Sequence, residues 1–313
     1  MKNGKIIKAL AQEYKLTRDN AKRDAEEALE RALENTDYFK ITREIAALNF
    51  ELAAKTARGQ DIADETAKAE LLEKKRIKIL KSLKLSDADF LPAYTCPLCR
   101  DEGAKDGGYC KCFQKRYYET LKEILDIESV LPFCFETADF KNIKDENQRV
   151  YLEKLYCAFK KYAEKFPDVN TKNALISGGT GVGKSCLMSA VADKIEKRGF
   201  NVIYLSAVQL DKLMLNYHTA PSAERGIYLE DIIDCDMLII DDLGSEQIIR
   251  NVTEEYLLHI LNEREMHNKP VFITTNLSLA ELSDRYNERL FSRMANRKNT
   301  IIKEIIGSDL RLS

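Results

Sequence analysis

One eight-residue segment constrains this chain more than any other. Gly178-Gly-Thr-Gly-Val-Gly183-Lys184-Ser185 matches GxxxxGK[ST] in full, follows the run Asn-Ala-Leu-Ile-Ser and opens a helical stretch. Strand, loop and helix in that order are what the spacing needs. Glycines let backbone N–H groups curl around a β-phosphate, and the helix N-terminus adds a favourable dipole. A lysine at position 184 reaches the β- and γ-phosphates, and the Ser185 hydroxyl is a Mg²⁺ ligand. Gly178, Gly179, Thr180, Gly181, Val182, Gly183, Lys184, Ser185 and Cys186 are therefore the expected nucleotide-binding segment.

From about Phe133 onward, short β-branched runs alternate with helical stretches, which predicts an α/β fold with a parallel sheet between helices. The strand candidates are Asn173–Ser177, Asn201–Ser206, Met237–Ile240, Val271–Thr275 and Thr300–Ile306. A helix is expected from Lys184 to Arg198, stopped by Gly199, and another behind the capping box Ser278/Glu281. The apolar run Met237–Ile240 ends in Asp241-Asp242, which puts two carboxylates at the carboxyl edge of the sheet, where ligands of such folds bind. Asp241 is expected to hold Mg²⁺ and Asp242 to orient the attacking water, with Glu246 as an alternative for the second role. Asn276, after the strand ending at Thr275, offers an amide to the γ-phosphate or the lytic water. Arg285, Arg289 and Arg293 follow. The last two are four apart and share a helix face, from which one arginine can stabilise transition-state charge on a neighbouring subunit's nucleotide. Ion pairing to Asp284 and Glu288 is the plainer use of that face.

Three further regions precede this one. Residues 1–91 lack proline, and their only glycines are Gly4 and Gly59. Apolar residues recur there at helical spacing: Ala25, Ala28, Leu29, Ala32 and Leu33, then Ile41, Ile45, Leu48 and Leu52. Asn35-Thr36-Asp37 reads as a turn, and a second run from Asp64 to Leu83 carries Leu71, Leu72, Ile77, Ile79 and Leu80. The region reads as a highly charged helical hairpin or small bundle, either a solvated spacer or, as its thin apolar stripe favours, a docking module for a partner. Residues 92–117 form a small cysteine-bearing module, and 118–132 a linker helix before the domain at 133–313.

Four of the eight cysteines fall in that module as Cys96-Pro-Leu-Cys99 and Cys110-Lys-Cys112, with Gly103, Gly107 and Gly108 between them. Two close pairs joined by a glycine-rich loop can bring four thiolates to one tetrahedral Zn²⁺, which also supplies folding energy that so short a segment lacks. An iron–sulfur cluster would use the same four thiolates. Cys134, Cys157, Cys186 and Cys235 are scattered, and packing is the simplest use of each. His218, His259 and His267 do not cluster at ligand spacing.

Composition excludes several classes. With 49 Lys+Arg against 51 Asp+Glu, the net charge of −2 argues against bulk electrostatic coating of nucleic acid, although a local basic groove is permitted. No apolar run approaches the ~18–20 residues needed to span a bilayer, and the first residues break their apolar stretch with Lys and Gln. No membrane partner and a cytoplasmic location are expected.

The order of these segments resembles the AAA+ ATPases: Walker A at Gly178–Ser185, Walker B as Leu-Ile-Ile-Asp241-Asp242, sensor I as Thr-Thr-Asn276, and an arginine-bearing helix Glu288-Arg-Leu-Phe-Ser-Arg-Met294. More narrowly, Ile239-Ile-Asp-Asp-Leu-Gly-Ser-Glu246 and Phe272-Ile-Thr-Thr-Asn276 are similar to the bacterial helicase loaders of the DnaC/DnaI type and to the related IstB-type transposition helpers. Only 37 residues follow Asn276, too few for a helical lid, as in the loader branch. The resemblance implies ATP and Mg²⁺ as cofactors and places the arginine finger at Arg293 or Arg289. Slow, switch-like hydrolysis is expected, because Asp242 stands where a longer Glu is usual. It further implies a hexameric replicative helicase and single-stranded DNA as partners, and self-association through nucleotide-bridged subunits. An inserted helix within Ala207–Asp234 would line the DNA path, with Lys212, Tyr217, His218 and Arg225 nearby. The alternative is a helper that delivers a transposase to target DNA. Phe133, Phe135 and Phe140 are candidates for an apolar wall at the adenine, with packing the simpler role.

Overall fold

The computed structural model describes residues 3–125, 127, 133–221 and 229–311, and these divide into two compact units. One comprises residues 9–112. The other joins the first eight residues to the chain from Phe113 onward.

The first unit is built on three helices, α1 (Gly4–Glu34), α2 (Thr36–Ala57) and α3 (Ala63–Ser82). Asn35 is the turn expected from sequence, and it caps α2 by accepting a hydrogen bond from the Tyr38 N–H at 3.0 Å. Gly59, at φ +67°, follows the end of α2. Ile41, Ile45 and Leu48 of α2 pack on Leu72 of α3, and Tyr38 and Leu80 meet Ala32 of α1. Four members of the recurring apolar set lie outside the buried stripe. Leu29, Leu33, Leu71 and Ile77 are exposed, because the buried stripe runs through Ala25, Ala28, Ala32, Leu72 and Leu80 and these four lie beside it. After α3 comes a short hairpin, β1 (Ala104–Lys105) and β2 (Gly108–Tyr109). Asp106 and Gly107, both at positive φ, are its two-residue loop.

The second unit opens with α4 (Lys111–Ile124) and α5 (Glu146–Lys165), the latter capped by Asp145. Then β3 (Asn173–Gly178), β4 (Val202–Ser206), β5 (Met237–Leu243), β6 (Val271–Thr275) and β7 (Thr300–Ile305) form one parallel sheet in the order β4-β5-β6-β3-β7. Its central strands β5, β6 and β3 are buried on both faces, as a sheet between helix layers requires, whereas the edge strand β7 exposes Lys303 and Glu304. Ala174, Ile176, Met237, Ile239 and Phe272 pack with Leu155 and Phe159 of α5 and with Leu187, Met188 and Val191 of α6 (Lys184–Lys197). The alternating residues Leu175, Ile203, Leu238, Ile240 and Ile273 are also buried, on the opposite pleat. The remaining helices are α7 (Ala207–Thr219), α8 (Leu229–Asp234), α9 (Thr253–Met266), α10 (Leu279–Arg285) and α11 (Glu288–Met294). The expected Ser278/Glu281 capping box opens α10. Among the described residues, none after β7 is helical. No described helix is long and apolar enough to cross a membrane.

Candidate nucleotide site and cysteine cluster

The three central strands deliver the predicted site residues to one edge. Gly178 ends β3, Asp241 and Asp242 lie near the end of β5, and Asn276 follows β6. Side-chain bonds join them. Lys184 is 7% exposed, and its ammonium donates to the Gly178 and Gly179 carbonyls, both at 2.7 Å, and to Asn276 Oδ1 at 2.6 Å. The Asn276 amide in turn donates to Asp242 Oδ1. Burial pulls the Lys184 ammonium below its ordinary pKa, while Asp242 and Asp241 act in the opposite sense. A desolvated lysine whose donors rest on carbonyls is positioned to exchange them for phosphate oxygens.

Asp241 is held by residues that sequence reasoning did not single out. Tyr204 of β4 donates its hydroxyl to Asp241 Oδ2 at 2.8 Å, and Thr274 of β6 donates to Oδ1. The Asp242 N–H donates to Thr274 Oγ1 at 2.9 Å. Ser185 lies in the first turn of α6. The signal was available, since Tyr204 and Thr274 occupy the strand ends flanking the aspartates, but only the pairing of β4 and β6 on either side of β5 makes them neighbours.

The phosphate loop is also enclosed from outside. Leu310 N–H donates to the Gly181 carbonyl at 3.0 Å, and the Asp309 carboxylate occupies the space a Cβ on Gly181 would take; the φ of +74° is what favours glycine there. The buried Gln148 amide pairs with the Ser308 backbone, donating at 3.0 Å and accepting at 3.1 Å. Phe133, Phe135 and Phe140 pack edge-on against Tyr156, whose hydroxyl lies 3.4 Å from the Gly183 carbonyl, so their packing role is the one the structure displays. Cys186 is half-buried and its thiol pKa is pushed up by burial.

Other predicted residues are placed elsewhere. Glu246, the expected alternative for the second role, is buried and bonded to Gly244, Arg285 and Tyr286. Arg289 and Arg293 share α11 and are both exposed. Arg293 pairs with Glu265 of α9 at 2.7 Å rather than with Asp284 or Glu288. Tyr217 and His218 of α7 pack on Tyr256 of α9. Lys212 is exposed, and Arg225 lies outside the described residues. Cys235 is buried as expected, whereas Cys157 is exposed because it falls on the outward face of α5.

The four module cysteines converge. The sulfurs of Cys96, Cys99, Cys110 and Cys112 all lie within 4.8 Å of one another, with Cys96 to Cys110 at 4.0 Å and Cys99 to Cys112 at 3.5 Å. A tetrahedral Zn²⁺ with bonds of ~2.3 Å requires sulfurs roughly 3.8 Å apart, so the donor set fits that ion. Asp101, 2% exposed, accepts from the Thr95 and Cys96 N–H groups at 2.9 and 2.8 Å and shapes the first knuckle. Hydrogen bonding from the Cys99 backbone heads the influences that lower the Cys96 thiol pKa to about 7, which favours the thiolate a metal needs.

Fold and site together define a P-loop nucleotide-binding protein with the AAA+ arrangement of motifs. The IstB-like ATP binding protein family model matches residues 120–297, more than half of the chain, and the protein belongs to that family as a AAA+ member of the DnaC/DnaI type. The replicative helicase loader DnaC of Escherichia coli K12 is 27% identical over 158 residues, covering 49% of this chain and 63% of the relative. The chain thus spans less than two thirds of that relative's length. Among solved structures it is similar to DnaI, at 24% identity over 61% of this chain and 98% of that one, with a TM-score of 0.44. It is also similar to the DnaC helicase loader, at 23% identity over 54% of this chain and 95% of that one, with a TM-score of 0.43.

Proposed function

We propose that this protein is an ATP-dependent loader of a hexameric replicative helicase that acts in the initiation of DNA replication. The observation that carries the ATPase reading is the bonded series Lys184–Asn276–Asp242, which joins the phosphate loop to the ends of β5 and β6. Lys184 exchanges its carbonyl partners for the β- and γ-phosphates, and Gly178 to Cys186 supply backbone donors. Ser185 and Asp241 hold Mg²⁺, which neutralises phosphate charge. Asp242 orients the attacking water, and Asn276 reports whether the γ-phosphate is present by releasing or keeping Lys184. A shorter aspartate arm gives slow turnover, as a switch needs. Arg293, with Arg289 as the neighbouring candidate, leaves its exposed pairing to complete a partner subunit's site, so ATP promotes self-association.

The helicase is assigned on the likeness to the replicative helicase loader DnaC, and single-stranded DNA on the resemblance of the motifs to the loader family. Residues 1–91 and a zinc-bearing module at 92–117 grip the helicase, with 118–132 as the linker, while the ATPase domain at 133–313 contacts DNA through the α7–α8 region. The converging cysteines favour this reading over delivery of a transposase, for which such a module is not expected. Size-exclusion chromatography with light scattering on mixtures with the host's replicative helicase, in ATP and in ADP, tests it. A stable complex that a chain starting near Phe133 fails to form is expected. No complex with metal-replete protein in either nucleotide overturns the loader and leaves the transposition helper.

A further inference from the structure

Glu246 is a carboxylate that the nucleotide chemistry does not employ and that the fold nonetheless buries, its side chain being 2% exposed. A buried carboxylate persists only when it is paired and hydrogen-bonded. Three donors converge on this one. The Gly244 N–H meets one oxygen at 2.8 Å, the Tyr286 hydroxyl donates to the other, and Arg285 Nη2 lies 3.4 Å from that second oxygen. Arg285 also donates to the Glu246 backbone carbonyl. Gly244 belongs to the turn that leaves β5. Arg285 and Tyr286 close α10, immediately before Asn287 caps α11 by accepting from the Leu290 N–H at 2.9 Å. One buried carboxylate therefore ties the Asp242 turn to the corner that carries Arg289 and Arg293.

The turn itself has little slack. Asp242 sits at φ +58°, where L side chains stay only if their surroundings enforce it. Its carbonyl accepts from Ser245 N–H at 3.1 Å and Ser245 Oγ at 2.8 Å. Gly244 is at φ +105°, Leu277 Cδ1 lies 2.7 Å from where a Cβ on it would stand, and Thr275 Oγ1 donates to the Leu243 carbonyl at 2.6 Å, so the ends of β5 and β6 are in direct contact. By contrast, the Arg293–Glu265 pair is exposed at both ends and readily exchanged. A pull on α11 thus frees Arg293 first and reaches Asp242 through the Glu246 cluster.

The geometry points to Glu246 as a positioning residue that holds the Asp242 turn in register with the α10–α11 corner, linking hydrolysis to engagement of the α11 arginines by a neighbouring subunit. This rests on the ATPase reading above. Steady-state ATP hydrolysis by the full chain, resolved into kcat and KM for Glu246→Ala, Tyr286→Phe and the double variant, tests it. The expected result is a kcat lower by about tenfold for Glu246→Ala and about threefold for Tyr286→Phe, with KM within about twofold of wild type. The double variant should be no worse than Glu246→Ala, because both changes break one cluster. Tyr286→Phe removes a single oxygen and keeps the ring packed, so it carries the test if Glu246→Ala does not fold. A wild-type chain without turnover overturns the ATPase reading and this one with it. Wild-type turnover that Tyr286→Phe leaves unchanged overturns the Glu246 assignment alone, as does a fall in kcat matched by an equal loss of nucleotide affinity.

Discussion

The two units hold their chemistry by different physical means. In the sheet unit, Leu175, Ile176, Leu187, Leu238, Ile239 and Phe272 are all fully buried, and this packed layer fixes the strand ends from which Asp241, Asp242 and Asn276 project. The helical and cysteine-bearing unit has a thin core, with Ile41, Ile45, Leu48 and Leu72 each still 7–9% exposed, and its hairpin strands are two residues long. Hydrophobic burial stabilises the first site without a ligand. The second brings four thiols together in a segment that has little apolar surface to bury, so ligation must supply what packing does not.

The contrast is sharpest when each site is deprived of its own support. Stripping metal with a strong chelator is expected to unfold residues 92–112 and leave the sheet unit intact, since apparent Zn²⁺ binding in small modules is on the order of 10 kcal/mol. Limited proteolysis with metal analysis would show cleavage confined to that segment; a protein that contains no zinc as isolated and resists cleavage would break the comparison. Next in size is Lys184→Ala, for which ATP turnover should fall on the order of a hundredfold or more while the thermal midpoint barely changes. Retained hydrolysis would remove Lys184 from the site.

Core truncations then measure the two packing regimes directly. Leu175→Ala, at a fully buried central strand, should cost about 3–5 kcal/mol in denaturant unfolding, and Leu72→Ala nearer about 2 kcal/mol. Equal losses would show that the helical core is as tightly packed as the sheet. Asn35→Ala, which removes the α2 cap, should cost about 1 kcal/mol.

The smallest effect is electrostatic. Arg76 donates two bonds to Asp87, at 2.6 and 2.9 Å, and holds that carboxyl below its usual pKa. A depressed folded pKa means the contribution is fully present above the unfolded value of about 3.9 and is lost as pH falls through the lower folded value. Asp87→Asn should therefore flatten the acid limb of stability for this unit, and an unchanged limb on acid titration would remove the pair from the account.

Legibility differed between the units for the same reason. The five strands lie within a few residues of where their β-branched runs placed them, and Val271–Thr275 coincides with its expected span. Strands buried on both faces carry an apolar signal at nearly every position. In the helices, an apolar residue at the right spacing can still fall beside the buried stripe, as Leu29, Leu33, Leu71 and Ile77 do. Deciding which of two adjacent rows is covered needs the neighbouring helix. The candidate nucleotide site shows the same division: Lys184, Asp241, Asp242 and Asn276 were marked by motif, but Tyr204, Thr274 and Gln148 were not, because their partners are 37, 33 and 160 residues away in sequence.

Local sequence was enough to mark the phosphate loop, the order of strands and helices, the carboxylates near the end of β5 and the pairing of two cysteine dyads. Each of these is written in local spacing, in a glycine's allowed φ, or in the reach of neighbouring side chains. The remaining contacts come from the tertiary arrangement: Glu246 bonds Tyr286, Asn276 bridges Lys184 to Asp242, and Gln148 clamps Ser308 beside the phosphate loop. Those contacts exist only once a β4-β5-β6-β3-β7 order has set distant strand ends side by side, where a buried polar group must find whichever partner the packing leaves within reach.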